Sequence, residues 1–359
     1  MKSVLQGIRF FIQEEALYCI LLSAVILFHA SSSLYISFHP IPPTPPPAEG
    51  ALARAEKVLS AEPEKLQELF EKDSGLQVLG RSLSLSAAAL LLFGIFLFFR
   101  FWIQQKRGEW EYRWRLLPPR PAWGLRDVFR VSVLLILIAY LIEIFQGVFF
   151  LFLKADLPEQ IRLMVNTALL DLAALALILY WVSMQKGQSL RGLGFSAKHF
   201  SHHIFFAVSS YVALLPALAM SLFVSIWVSD RIRFEAPQQP LYEIFFGDAY
   251  QEILWVTILM VVLIGPIVEE AFFRGFLYSA LKTKWGKRWA MVTSGIFFAL
   301  LHANWVGFLP IALLGITLAF DYEVTGTLVA SIALHSVHNT LVMGFVFLMR
   351  DLLKRVAGG

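Results

Sequence analysis

Long apolar runs alternate with short polar connections along this chain, and nine runs can be counted, at about 17–38, 83–102, 131–153, 164–184, 204–228, 253–281, 289–303, 306–320 and 326–348. Most are long enough to cross a bilayer, which takes about 20 apolar residues. Hydrocarbon offers the backbone no hydrogen-bond partner, so each run reads as a helix. The pattern predicts an all-α fold, a polytopic transmembrane helix bundle with about eight or nine membrane helices. The runs 289–303 and 306–320 are short, and one of them could be re-entrant.

Six regions follow from this pattern. Residues 1–38 form an N-terminal membrane anchor helix, 39–82 an extracytoplasmic Pro-rich and amphipathic segment, and 83–130 a membrane helix with a basic loop. Residues 131–245 hold accessory membrane helices, 246–349 a core, and 350–359 a tail. The first run could be a signal peptide, because Ala30, Ser31 and Ser32 are small. Its length and the preceding Glu14 and Glu15 favour an uncleaved anchor. His39 to Pro47 is a stiff Pro-rich spacer, and Leu66, Leu69 and Phe70 share one face of a mostly charged helix.

Composition sharpens the class. The 359 residues are 58% hydrophobic and only 16% charged, with 32 Phe, which is the composition of a membrane protein. The basic residues fall between apolar runs: Lys106, Arg107, Arg113, Arg115, Arg120, Arg126 and Arg130 in one loop, Lys282, Lys284, Lys287 and Arg288 in another. Positive charge retained on the cytoplasmic side explains them without a nucleic-acid partner, and sets both loops and the N-terminus in the cytoplasm. Arg350, Lys354 and Arg355 then fall outside, against that bias. The one cysteine, Cys19, excludes an internal disulfide framework and a cysteine metal site.

Ionisable groups inside the apolar runs carry the candidate chemistry, since each costs roughly 2.5–3.5 kcal/mol at a helix centre. Glu269, Glu270 and Arg274 follow a stretch, Ile253 to Val268, that carries no charge. Phe298 and His302 lie in one later run, and His335, His338 and Asn339 in another. Glu270 and Arg274 are four apart and can pair, whereas Glu269 points about 100° away. Counted from their helix ends, Glu269, His302 and His335 lie roughly 16–20 Å from one membrane face. If their helices are neighbours, a carboxylate and two imidazoles meet at one level. Such a set suits amide hydrolysis: the carboxylate takes a proton from water, an imidazole orients that water, and a second imidazole and an amide stabilise an oxyanion. No G-x-S-x-G elbow and no His-Glu-x-x-His helix is present. Asn166 and Asp171 read as structural or transport-related residues, and His202 and His203 as residues bordering a lipid interface.

At these motifs the chain resembles the intramembrane proteases that group CAAX prenyl endopeptidases of the Ras-converting type with bacteriocin-processing and self-immunity proteins, the CPBP or Abi-like family. Its Glu-Glu-x-x-x-Arg, Phe-x-x-x-His and His-x-x-x-Asn motifs are all matched, clearest over about 245–345. A weaker likeness touches Trp123 to Asp127 and Leu190 to Gly194. The resemblance implies Glu269 as the water-activating base, His302 as its partner, and His335 with Asn339 as oxyanion stabilisers. Glu270, Arg274, Phe298 and His338 would support them. It implies a metal-free mechanism, although zinc on Glu269, His302 and His335 is the alternative. The expected partners are the lipid bilayer and a membrane-associated protein or leader-peptide substrate. The architecture suggests a multi-pass protein of a bacterial cytoplasmic (inner) membrane. A transporter or channel using the same buried groups is the competing class, although no internal repeat is found. A third reading is a membrane scaffold without catalysis.

Overall fold

The computed structural model describes residues 6, 10–38, 74–107, 112–116, 120–153, 157–234, 244–245 and 251–358. The secondary structure among them is helical, with no strand. In chain order the helices are α1 (Ala16–Phe38), α2 (Ser74–Arg107), α3 (Leu125–Leu153), α4 (Glu159–Tyr180), α5 (Phe200–Ile232), α6 (Gln251–Leu259), α7 (Gly265–Glu270), α8 (Ser279–Leu301), α9 (Phe308–Thr325) and α10 (Leu328–Gly358). Wide π turns over Trp181–Gln185, Met260–Ile264 and Ala271–Tyr278 extend α4 and join α6, α7 and α8. Seven helical stretches are long and apolar enough to cross a membrane. The polytopic helical bundle expected from the apolar pattern is therefore what forms.

Two boundaries differ from the sequence reading. Helix α2 begins at Ser74, inside the segment assigned to the exterior. Helix α10 runs to Gly358, so the tail continues the last helix. The Pro-rich spacer and the face of Leu66, Leu69 and Phe70 lie outside the described residues.

The 49-residue stretch Ile253–Leu301 is about twice the length that spans a bilayer. It breaks at Gly286, whose φ of 74° and ψ of 171° suit glycine. Beyond the break the chain folds back: the Ser294 hydroxyl donates to the Phe273 carbonyl at 3.2 Å, and the Phe273 and Phe298 rings meet at 5.1 Å. The runs 253–281 and 289–303 are thus two antiparallel legs, as counted from the sequence. The N-terminal helix α1 packs on α3, where Nε and Nη2 of Arg130 donate at 2.7 Å to the two carboxylate oxygens of the buried Glu15, the residue just before α1.

The two basic loops meet at one point. Glu323, with 6% of its side chain exposed, receives Arg115 at 3.7 Å, Lys287 at 2.8 Å and Lys282, and the Tyr278 hydroxyl donates to it at 3.0 Å. Both loops therefore lie on one face of the bundle, as the charge pattern predicts. The stretches of weaker family likeness are also built in: Trp123 donates from its indole to the Phe276 carbonyl at 2.9 Å, and Leu328 N–H and Thr327 Oγ donate to the Gly194 carbonyl.

Helices α8 and α9 approach closely because glycines face each other. A methyl group at Gly295 would stand 2.6 Å from Ile316 Cγ1 and 2.8 Å from its backbone N, and one at Gly315 only 2.8 Å from Gly295 Cα. Small residues at a crossing permit such backbone contact in membranes. Gly295→Val should force the helices apart and destabilise the protein by about 1–3 kcal/mol. A thermal unfolding midpoint in detergent equal to that of the unaltered protein would refute this close approach.

Candidate active site

Glu269 and Glu270 occupy α7, six residues between two π turns. Pro266 stands at its start, where the preceding π turn relieves the clash that a proline ring makes with the carbonyl four residues back. Glu270 and Arg274 both have side chains with no exposure and pair at 2.8 Å. Arg274 also donates to the Gly315 carbonyl at 3.0 Å, and its guanidinium lies 4.5 Å from the Phe298 ring centroid. A buried charge is tolerated only with such partners.

Glu269 points elsewhere. A third of its side chain is exposed, but Oε2 is buried and has no hydrogen-bond partner among the described residues. That oxygen stands 3.9 Å from Nε2 of His302 and 3.9 Å from Nε2 of His335. The expected convergence of the three groups at one depth is realised. A separation of 3.9 Å is too long for a direct hydrogen bond and is one that a water molecule can bridge.

The partners of the two rings define what they present. His302 Nδ1 lies 2.7 Å from the Phe298 carbonyl, which only accepts, so Nδ1 carries hydrogen. His335 Nδ1 lies 3.1 Å from Glu270 Oε1, and a carboxylate likewise takes that hydrogen. A ring whose single hydrogen sits on Nδ1 offers an Nε2 lone pair toward Glu269, and a ring that carries both hydrogens donates from Nε2. Phe298 is the hub of this arrangement. Its ring lies 4.4 Å from that of His302 and 5.5 Å from that of His335, with Arg274 over its face.

Asn339 is placed one turn beyond His335 on α10, where its amide N–H donates to the Val261 carbonyl at 2.7 Å. Val261 lies in the first π turn, where the normal ladder is broken, so Asn339 ties that turn to α10. His338 is held by a hydrogen bond between its Nδ1 and the Tyr211 hydroxyl of α5, at 3.2 Å. Sequence reasoning missed Tyr211, and nothing in a single tyrosine of an apolar helix marks it out. It also left Asp171 an open structural or transport-related residue, yet α4, which carries it, packs against α7, the helix of Glu269. An ionisable residue in an apolar run was the available signal.

His202 and His203 stay apart from this centre. The His202 ring lies tilted against Trp114 with centroids 4.0 Å apart, and His203 is fully buried with the Tyr112 hydroxyl 3.1 Å from its Nδ1. Burial, with the Asp321 carboxylate adding to it, pushes the Tyr112 phenol up to about 12.

Glu269, His302 and His335 are the donor set available for zinc. Zinc bonds of about 2.0–2.1 Å would draw ligand atoms to roughly 3.4 Å of one another, and the 3.9 Å separations here are wider. Among the described residues no group of three or more His, Cys, Asp or Glu closes into a metal site. As placed, the set is wider than tetrahedral zinc ligation requires.

Residues 251–341 match the family described as type II CAAX prenyl endopeptidase Rce1-like. The chain is also similar to the putative membrane peptidase YdiL of Bacillus subtilis (strain 168), with 31% identity over 99 residues, 27% of this chain and 41% of that protein. It therefore spans less than half the length of that curated relative. No solved structure matches. The family resemblance drawn from the three motifs holds over this stretch.

Removing one member of the buried pair, by Glu270→Gln or Arg274→Gln, should cost about 3–5 kcal/mol of stability. The double change Glu270→Leu with Arg274→Met should regain much of that loss, because an apolar pair of similar volume replaces the ions. Thermal unfolding of the purified variants tests both. Single variants as stable as the parent would mean that water reaches the pair.

Proposed function

We propose that this chain is an intramembrane endopeptidase in which Glu269 activates water to hydrolyse a peptide bond of a membrane-associated or leader-peptide substrate. The observation that carries the reading is the buried Glu269 Oε2, without a protein hydrogen bond and 3.9 Å from two imidazole nitrogens. The Rce1-like match and the membrane-peptidase relative support it.

Glu269 accepts a proton from a water whose second hydrogen is held by the His302 Nε2 lone pair. The hydroxyl oxygen bonds to the carbonyl carbon, and the carbonyl electrons become the oxyanion. Asn339 has a second amide hydrogen beyond the one given to Val261, and His335 donates through Nε2 when its ring carries both hydrogens, with Glu270 balancing the charge. Both are oxyanion stabilisers in this reading. The tetrahedral intermediate collapses as the C–N bond breaks, and Glu269 returns its proton to the leaving amine. Glu270 serves Arg274 and His335 and is spared for that task. The reading includes a metal-free reaction, insertion in the bacterial inner membrane with the N-terminus in the cytoplasm, and no nucleic-acid partner.

Glu269→Gln keeps the size of the side chain and removes the base, so turnover should disappear in a protein with an unchanged unfolding midpoint. Proteomic comparison of membranes carrying the two forms, searched for altered C-termini, reads the loss. Near-normal proteolysis by the variant would sink the assignment of Glu269. Activity should also survive exhaustive EDTA dialysis that leaves far less than one metal per chain. Loss on dialysis and recovery with stoichiometric zinc would make Glu269 a ligand.

His335→Ala and Asn339→Ala should each slow single turnover by roughly 100- to 1,000-fold while substrate still binds. Unchanged single-turnover rates would remove both from the oxyanion site.

A further inference from the structure

A cavity of about 750 Å³ lies between α3 and α4, bordered by Glu143, Gln146, Phe150, Glu159, Arg162 and Asn166. None of these polar side chains serves the Glu269 centre. Gln146 is only 7% exposed, and its Oε1 has no partner; Asn166 Oδ1 is buried and has none either. A buried polar atom without a hydrogen bond costs free energy unless a ligand or water completes it. Both orphan atoms are acceptors, so what completes them carries N–H or O–H groups.

The charges at the rim add a second requirement. Glu143, Glu159 and Arg162 are exposed, giving the mouth both an anionic and a cationic side. Gln146 lies 21 residues beyond Leu125, roughly 31 Å along α3 from the end next to the basic loop. That is about one hydrocarbon thickness, which sets the cavity at headgroup level of the opposite membrane face. Phe150, with Leu151 and Leu163, adds apolar wall.

We propose that this cavity binds the headgroup of an aminophospholipid of the phosphatidylethanolamine type. The primary ammonium donates to Gln146 Oε1 and Asn166 Oδ1 beside Glu143, the phosphate pairs with Arg162, and the acyl chains run along the apolar wall. A quaternary ammonium has no N–H to give, so phosphatidylcholine leaves both orphan acceptors unmet. The site thereby distinguishes two zwitterionic lipids of equal net charge. This binding is independent of proteolysis, and its test does not use turnover.

The experiment uses the full-length purified protein, delipidated in detergent, with dioleoyl-phosphatidylethanolamine, dioleoyl-phosphatidylcholine, dioleoyl-phosphatidylglycerol and free phosphoethanolamine as probes. Native mass spectrometry measures binding and the unfolding midpoint gives a second readout. The ethanolamine lipid should bind at least roughly tenfold more tightly than the choline lipid, about the effect of one hydrogen bond to a charged group. Gln146→Leu and Arg162→Gln should each weaken the ethanolamine lipid to near the level of the choline lipid. Equal affinity for the two lipids, or a preference intact in both variants, would overturn the proposal. Tightest binding of phosphatidylglycerol, whose headgroup offers hydroxyl donors and no ammonium, would mean that hydroxyls complete the two acceptors and would overturn the aminophospholipid. Free phosphoethanolamine binding as tightly as the lipid would overturn the membrane as the source of the headgroup.

Discussion

The site depends on a buried guanidinium. Arg274 has no exposed side-chain surface, and leaving such a charge unpaired at membrane depth would cost several kcal/mol. The fold supplies a carboxylate from Glu270, a backbone carbonyl from Gly315 and the ring face of Phe298. Each partner comes from a different helix, so satisfying one charge brings α7, α8 and α9 together. The close contact at Gly295 and Gly315 belongs to the same requirement, because it brings the Gly315 carbonyl within reach. Glu270 then passes order onward by accepting from His335 on α10.

Seen from Arg274, the three motifs describe one connected object. Phe298 contacts the guanidinium with its ring, packs on both imidazoles, and holds His302 through its carbonyl. Its replacement by a smaller apolar residue would loosen Arg274, His302 and His335 at once. Asn339 reaches Val261 in the π turn that precedes α7, so the third motif also anchors the entry to the first. A π turn shifts the helical phase by about one residue relative to an α-helix. The turns on both sides of α7 therefore help to aim Glu269 and Glu270 in their separate directions.

Much of this was legible in the sequence, for a physical reason. Burying a charge in lipid is so costly that Glu269, Glu270, Arg274 and the histidines stand out against apolar neighbours, and the rise per residue of a helix converts their positions into depths. Helix number and the shared face of the basic loops follow from the same constraint. The π turns around α7 were not legible, since no residue type demands one. The partners of Tyr211 and Asp171 depend on which helices are neighbours, which apolar periodicity leaves open when every helix faces either lipid or another apolar helix. The donation from Asn339 to Val261 was hidden for a related reason: the free carbonyl exists only because of the π turn.

Two adjacent glutamates in one short helix end in different chemical states of use, and the difference is geometric. Glu270 faces inward, where Arg274 and His335 consume its Oε1. That oxygen is committed to a guanidinium and an imidazole N–H, so it is occupied by protein partners. Glu269, about 100° around the helix, has no Lys or Arg in salt-bridge range among the described residues and faces two imidazole nitrogens across a gap that water can bridge. Adjacent placement makes the division economical: Glu270 secures His335, and His335 in turn borders the oxygen that Glu269 keeps free. Exchanging the two environments would leave Arg274 buried without its carboxylate, so in the proposed reaction the division between Glu269 and Glu270 follows from the requirement that Arg274 be neutralised.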